Sequence, residues 1–96
     1  MRRIVWTPRA IEDTQAIKAF IEQDSPHSAG LVVERIIAAV EQLPTFPESG
    51  RIVPEYQEPA VREIIRPPYR IVYRVRQEEI HIITVHHAAR LLRFES

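Results

Sequence analysis

Ninety-six residues at zero formal net charge, 45% hydrophobic and 27% charged, describe one globular domain, 1–96, with a modest core and no space for a deep enclosed pocket. No apolar run approaches the roughly 18 residues that a transmembrane helix needs, so no transmembrane helix is expected. Cysteine is absent, which excludes disulfides and thiolate metal sites and points to a cytoplasmic protein.

The neutral balance hides an asymmetry. Residues 1–60 hold six Lys/Arg against nine Asp/Glu, whereas residues 61–96 hold seven Arg against four Glu. Every basic residue in the second part is arginine, the side chain suited to planar, bidentate contacts.

The chain opens with Arg3-Ile4-Val5-Trp6-Thr7, a short strand of β-formers. Arg2 and Arg3 are not followed by a signal-peptide apolar segment, because Pro8, Arg9, Glu12 and Asp13 interrupt it. Thr7-Pro8 is an N-cap followed by proline in the first helical turn. Ile11, Thr14, Ile17, Phe20 and Ile21 continue at helical spacing, which predicts a helix ending near Asp24. Ser25-Pro26 repeats the signature and starts a second helix. Its broad apolar stripe is Leu31, Val32, Val33, Ile36, Ile37, Val40 and Leu43. The short link predicts an antiparallel helical hairpin.

A proline-rich connection over residues 44–54 follows, with a turn at Glu48-Ser49-Gly50. It reads as a structural crossover pinned by Phe46, Ile52 and Val53. Three strands are then predicted, over 61–66, 69–76 and 80 to 86 or 87. Pro67-Pro68 and Gln77-Glu78-Glu79 mark the turns between them. The tail, Ala88 through Phe94, reads as a short helix or an extended arm. The predicted architecture is α+β, β-α-α-β-β-β, with a small, mostly antiparallel sheet packed on the hairpin.

Alternation in the strand predicted over 69–76 puts Tyr69, Ile71, Tyr73 and Val75 on the core face and Arg70, Val72, Arg74 and Arg76 on the other. Arg62, Arg66, Arg70 and Arg74 are therefore candidates for one basic patch. It would suit nucleic acid, phosphate or an acidic peptide. The competing reading is cross-strand pairing with Glu55, Glu58, Glu63 or Glu78. His86 and His87 do not suggest a metal, since adjacent strand residues point to opposite faces. They are instead candidates for proton transfer on a phosphodiester, with Glu55 as a base and Arg70 on the phosphate. No cofactor is expected.

Taken together, several motifs resemble the RelE/ParE superfamily of type II toxins over nearly the whole length. They are Val5-Trp6-Thr7-Pro8 with Asp13, Asp24-Ser25-Pro26, Leu43-Pro44-Thr45-Phe46-Pro47-Glu48-Ser49-Gly50-Arg51 and Val53-Pro54-Glu55. Arg62-Glu63-Ile64, Tyr69-Arg70-Ile71-Val72-Tyr73-Arg74-Val75 and Val85-His86-His87-Ala88-Ala89-Arg90 complete the set. The resemblance implies growth inhibition, plasmid stabilisation and a cognate antitoxin as partner, with operator DNA contacted only through that antitoxin. It implies one of two targets. RelE-like members cut mRNA on the ribosome; ParE-like members inhibit DNA gyrase.

Against YoeB-type nucleases, Arg70 falls on the phosphate-contacting arginine and Glu55 near the carboxylate base. The C-terminal His-Tyr pair of those nucleases would fall on Ala88-Ala89, and Lys18 is the only lysine. The pattern is thus closer to ParE, with the basic sheet, Arg90 and Arg93 as candidate target contacts. The alternatives are a ribosome-dependent endoribonuclease and a decayed toxin retained as an antitoxin-binding module.

Overall fold

The computed structural model describes residues 1–89, so Arg90, Arg93 and most of the predicted tail lie outside the described residues. The elements are β1 (Arg3–Trp6), α1 (Pro8–Glu22), α2 (Pro26–Glu41), β2 (Arg51–Ile52), β3 (Val61–Arg66), β4 (Tyr69–Val75) and β5 (Glu79–His87). They form one sheet in the order β1-β5-β4-β3-β2. β1 runs parallel to β5, and the other pairs are antiparallel. The α+β arrangement stands, with one strand added. β2 pairs Arg51 with Glu63 and Ile52 with Arg62. Two residues are too few to show alternation, so the strand leaves no period in the sequence.

Both helices start as their sequences dictate. Thr7 is extended (φ −70°, ψ 156°) and its hydroxyl accepts from the Ala10 N–H at 3.2 Å. Ser25 likewise accepts from the Ser28 N–H at 3.2 Å. Each cap satisfies a main-chain donor that the first helical turn leaves without a partner.

The main core lies between the hairpin and one face of the sheet. Ala10, Ile36, Ala39, Val40 and Leu43 meet Ile64, Ile71, Tyr73, Ile80, Ile82 and Val85. The expected core face of β4 is correct, since Tyr69 and Val75 pack at its margin. The first helix differs from expectation. Ala10 is its one buried residue, while Ile11 and Phe20 are 43% and 72% exposed. α1 packs on α2 and β5 rather than over the middle of the sheet, so part of its apolar stripe faces outward.

The connection is also held differently from the prediction. Val53 is buried, but Phe46 and Ile52 are exposed. Polar contacts do the pinning. The Tyr73 hydroxyl donates to the Pro47 carbonyl at 2.8 Å and accepts from the Gly50 N–H at 3.0 Å. A Cβ on Gly50 would sit 2.5 Å from the Glu63 carbonyl oxygen, so this close approach requires glycine.

Candidate functional site

Arg70, Arg74, Glu55 and His86 lie on the sheet face turned away from the helices. Register places Arg70 between Ile65 of β3 and His86 of β5, and Arg74 between Val61 and His81. The loop between β2 and β3 folds back over this face. Its ends are joined by the Val53 N–H donating to the Val61 carbonyl at 3.1 Å. Val53, Val61 and Val72 form a second small core beneath it, flanked by Tyr56 and Ile83.

The loop lays Glu55 over Arg70. The two terminal nitrogens of Arg70 donate to the two Glu55 oxygens, both at 2.8 Å, as a fork. Arg70 Nε donates to Glu63 Oε1 at 2.5 Å, and Arg51 Nε donates to the other Glu63 oxygen at 2.6 Å. The Glu63 side chain is 0% exposed and that of Arg70 7%. Two arginines and two glutamates thus form a neutral, hydrogen-bonded set. The Glu55 bonds and, less strongly, Glu63 push the Arg70 pKa further above its ordinary value, against the opposing effect of burial. Four residues along the same strand, Arg74 donates to Glu58 at 2.8 Å.

Register splits the expected four-arginine patch. Arg62 pairs with Tyr73 and Arg66 with Tyr69, which places both on the face opposite Arg70 and Arg74. Arg62 is spent on the Pro59 and Gly50 carbonyls, at 3.1 and 3.0 Å. Arg66 donates to the adjacent Ile65 carbonyl and has no carboxylate partner among the described residues. Parity along one strand was legible; parity between strands depends on register, which only pairing fixes.

His86 is half-buried on the rung of Arg70. His87 is exposed on the rung of Tyr69, and the two rings meet edge to face with centroids 6.1 Å apart. The described residues contain no group of three His, Asp or Glu side chains placed to hold a metal. No described helix is long and apolar enough to cross a membrane.

Asp13 belongs to the opening motif, but sequence reasoning gave it no role. β5 carries a bulge where Val72 faces Thr84 but Tyr73 faces Ile82. Asp13 of α1 accepts from the Thr84 hydroxyl and, at 3.1 Å, from the Val85 N–H, so it binds the helix to the irregular strand. Thr84 within the apolar run Ile82-Ile83-Thr84-Val85 was the available signal. A separate surface, an apolar groove of about 370 Å³, is lined by Trp6, Ile11, Thr14, Gln15 and Ile37.

Two helices on a five-stranded mixed sheet are also the architecture of a chain in the solved chromosomal ParDE toxin–antitoxin system of P. aeruginosa. It is similar with a TM-score of 0.73 and 28% identity, over 91% of this chain and 96% of that one. Toxin RelE2 of Caulobacter vibrioides is 39% identical over 92 residues, covering 95% of this chain and 100% of the relative. Putative toxin Y4kP of Sinorhizobium fredii is 40% identical over 89 residues, covering 91% and 88%. These likenesses define a type II toxin of the RelE/ParE superfamily. Residues 4–92 match the family described as the ParE toxin of the type II toxin–antitoxin system parDE, and the chain belongs to that family.

Proposed function

We propose that the protein is a non-enzymatic, cytoplasmic toxin that inhibits DNA gyrase and is neutralised by a cognate antitoxin. The observation that carries this reading is the state of Arg70. A phosphate-stabilising arginine needs its guanidinium directed at the substrate. Here the Arg70 side chain is 7% exposed and bonded to Glu55 and Glu63, which supports a role in folding rather than in phosphate binding. Arg66, together with Arg90 and Arg93, is then the arginine set proposed to contact the target. The apolar groove beside Ile11 and Ile37 suits anchors from the antitoxin, through which alone operator DNA would be reached.

One observation favours the ribonuclease reading: His86 shares a rung with Arg70, near Glu55. Controlled expression with parallel readouts separates the two. Gyrase inhibition predicts DNA breaks and a damage response with intact transcripts. Codon-positioned mRNA cuts that vanish in a folded His86→Gln variant would replace it with the nuclease. Normal growth on expression of the folded chain would leave the decayed, antitoxin-binding module.

A further inference from the structure

Residues 54–60 form a strap over the outer sheet face. Beyond its root, three side chains hold it there: Glu55 forked on Arg70, Tyr56 against the valine cluster, and Glu58 on Arg74. These occupy successive parts of one surface, a buried cation, an apolar floor and a half-buried cation. We propose that residues 55–58 are an internal stand-in for an external ligand: an acidic segment of a protein partner, with two carboxylates three residues apart and an aromatic ring between them.

Charge and shape both lead there. When the strap lifts, two carboxylates leave the face. Arg70 keeps Glu63, and Arg74 loses its partner. A neutral surface becomes cationic, and Val61 and Val72, each 0% exposed, lose the cover of Tyr56. The exposed seat then pairs an arginine fork, which matches a planar carboxylate, with a floor that accepts a ring. A bare phosphate would leave that floor exposed to water.

The strap is also built to release. The Glu58 side chain is 43% exposed, so its pair with Arg74 is weak and screened by salt. Gln57 holds φ at 50°, a left-handed conformation that an L side chain adopts at a cost. The Tyr56 and Gln57 N–H groups both donate to the single Val53 carbonyl.

The test uses the full chain, Glu55→Gln and Glu58→Gln variants, and an acetylated peptide of sequence Val-Pro-Glu-Tyr-Gln-Glu-Pro-Ala-Val as probe. Losing a charge-assisted bond should speed exchange of the Tyr56, Gln57 and Val61 amides about tenfold in Glu55→Gln, and about threefold in Glu58→Gln, with β4 amides unchanged. Both variants should bind the peptide more tightly than the unsubstituted chain by the same factors. The peptide with both glutamates replaced by glutamine should not bind. Should Glu55→Gln fail to fold, the half-exposed Glu58→Gln carries the test alone. Unchanged strap exchange in folded Glu58→Gln would overturn the proposal. So would faster exchange without a gain in peptide affinity, or preferential binding of a single-stranded oligonucleotide.

Discussion

Arg70 and Tyr73 occupy opposite faces of the same strand, and each closes a loop onto the sheet. For Arg70 the consequence is energetic. Its removal leaves the Glu63 carboxylate buried, with Arg51 as the remaining partner. Breaking such a pair costs about 3 kcal/mol, so Arg70→Ala should lower the urea midpoint sharply. Glu55→Gln, at the 25% exposed end of the set, should cost about 1 kcal/mol in the same measurement. For Tyr73 the consequence is a pH dependence. Burial pushes its phenol above the ordinary value of 10.0. The unfolded chain therefore releases this proton first, and the folded state binds more protons at alkaline pH. The contribution is fully present below about pH 10 and is lost as pH rises through the folded value. Tyr73→Phe should flatten the decline in stability above that pH, as followed by urea titrations at successive alkaline pH values.

At the scale of elements, α1 depends on β5 more than on its own apolar stripe. Asp13 supplies two hydrogen bonds to the β5 bulge, and the Thr7 hydroxyl donates to the Ile82 carbonyl at 2.7 Å. Asp13→Ala should cost about 2 kcal/mol, with the Val85 amide exchanging earlier than its β4 neighbours. The helices themselves were legible, because Thr7-Pro8 and Ser25-Pro26 state their starts locally. So were the strand pattern and the core face of β4, where period-2 alternation is a property of one segment. The outward turn of Ile11 and Phe20 was not, since it depends on where α1 sits over the sheet. The candidate site divides in the same way. That Arg70 faces away from the helices follows from parity. That it ends between Glu55 and Glu63 depends on a loop folding back across three strands, and no local spacing encodes that.

Over the whole molecule, the two faces of the sheet have different tasks. One binds the hairpin and, at its margin, leaves the groove beside Trp6 and Ile37; the other is closed by charge pairs. Ile37 is 41% exposed, so Ile37→Asp should change stability by only about 0.5 kcal/mol. The same change should weaken antitoxin association by about 2 kcal/mol if the groove holds a central anchor, measurable by calorimetry.

The sheet order carries one more consequence. β1 pairs only with β5, and Arg3 meets Glu79. β5 in turn lies between β1 and β4, so it joins the earliest strand to the three that precede it in synthesis. Until β5 is made, the opening strand has no neighbour and a one-strand gap separates it from β4. Chains halted before residue 79 should be cut readily by protease, and those that have released His87 should resist. A toxin ordered in this way acquires its shape only once β5 has emerged, and a message interrupted before that strand yields fragments that cannot assemble the sheet.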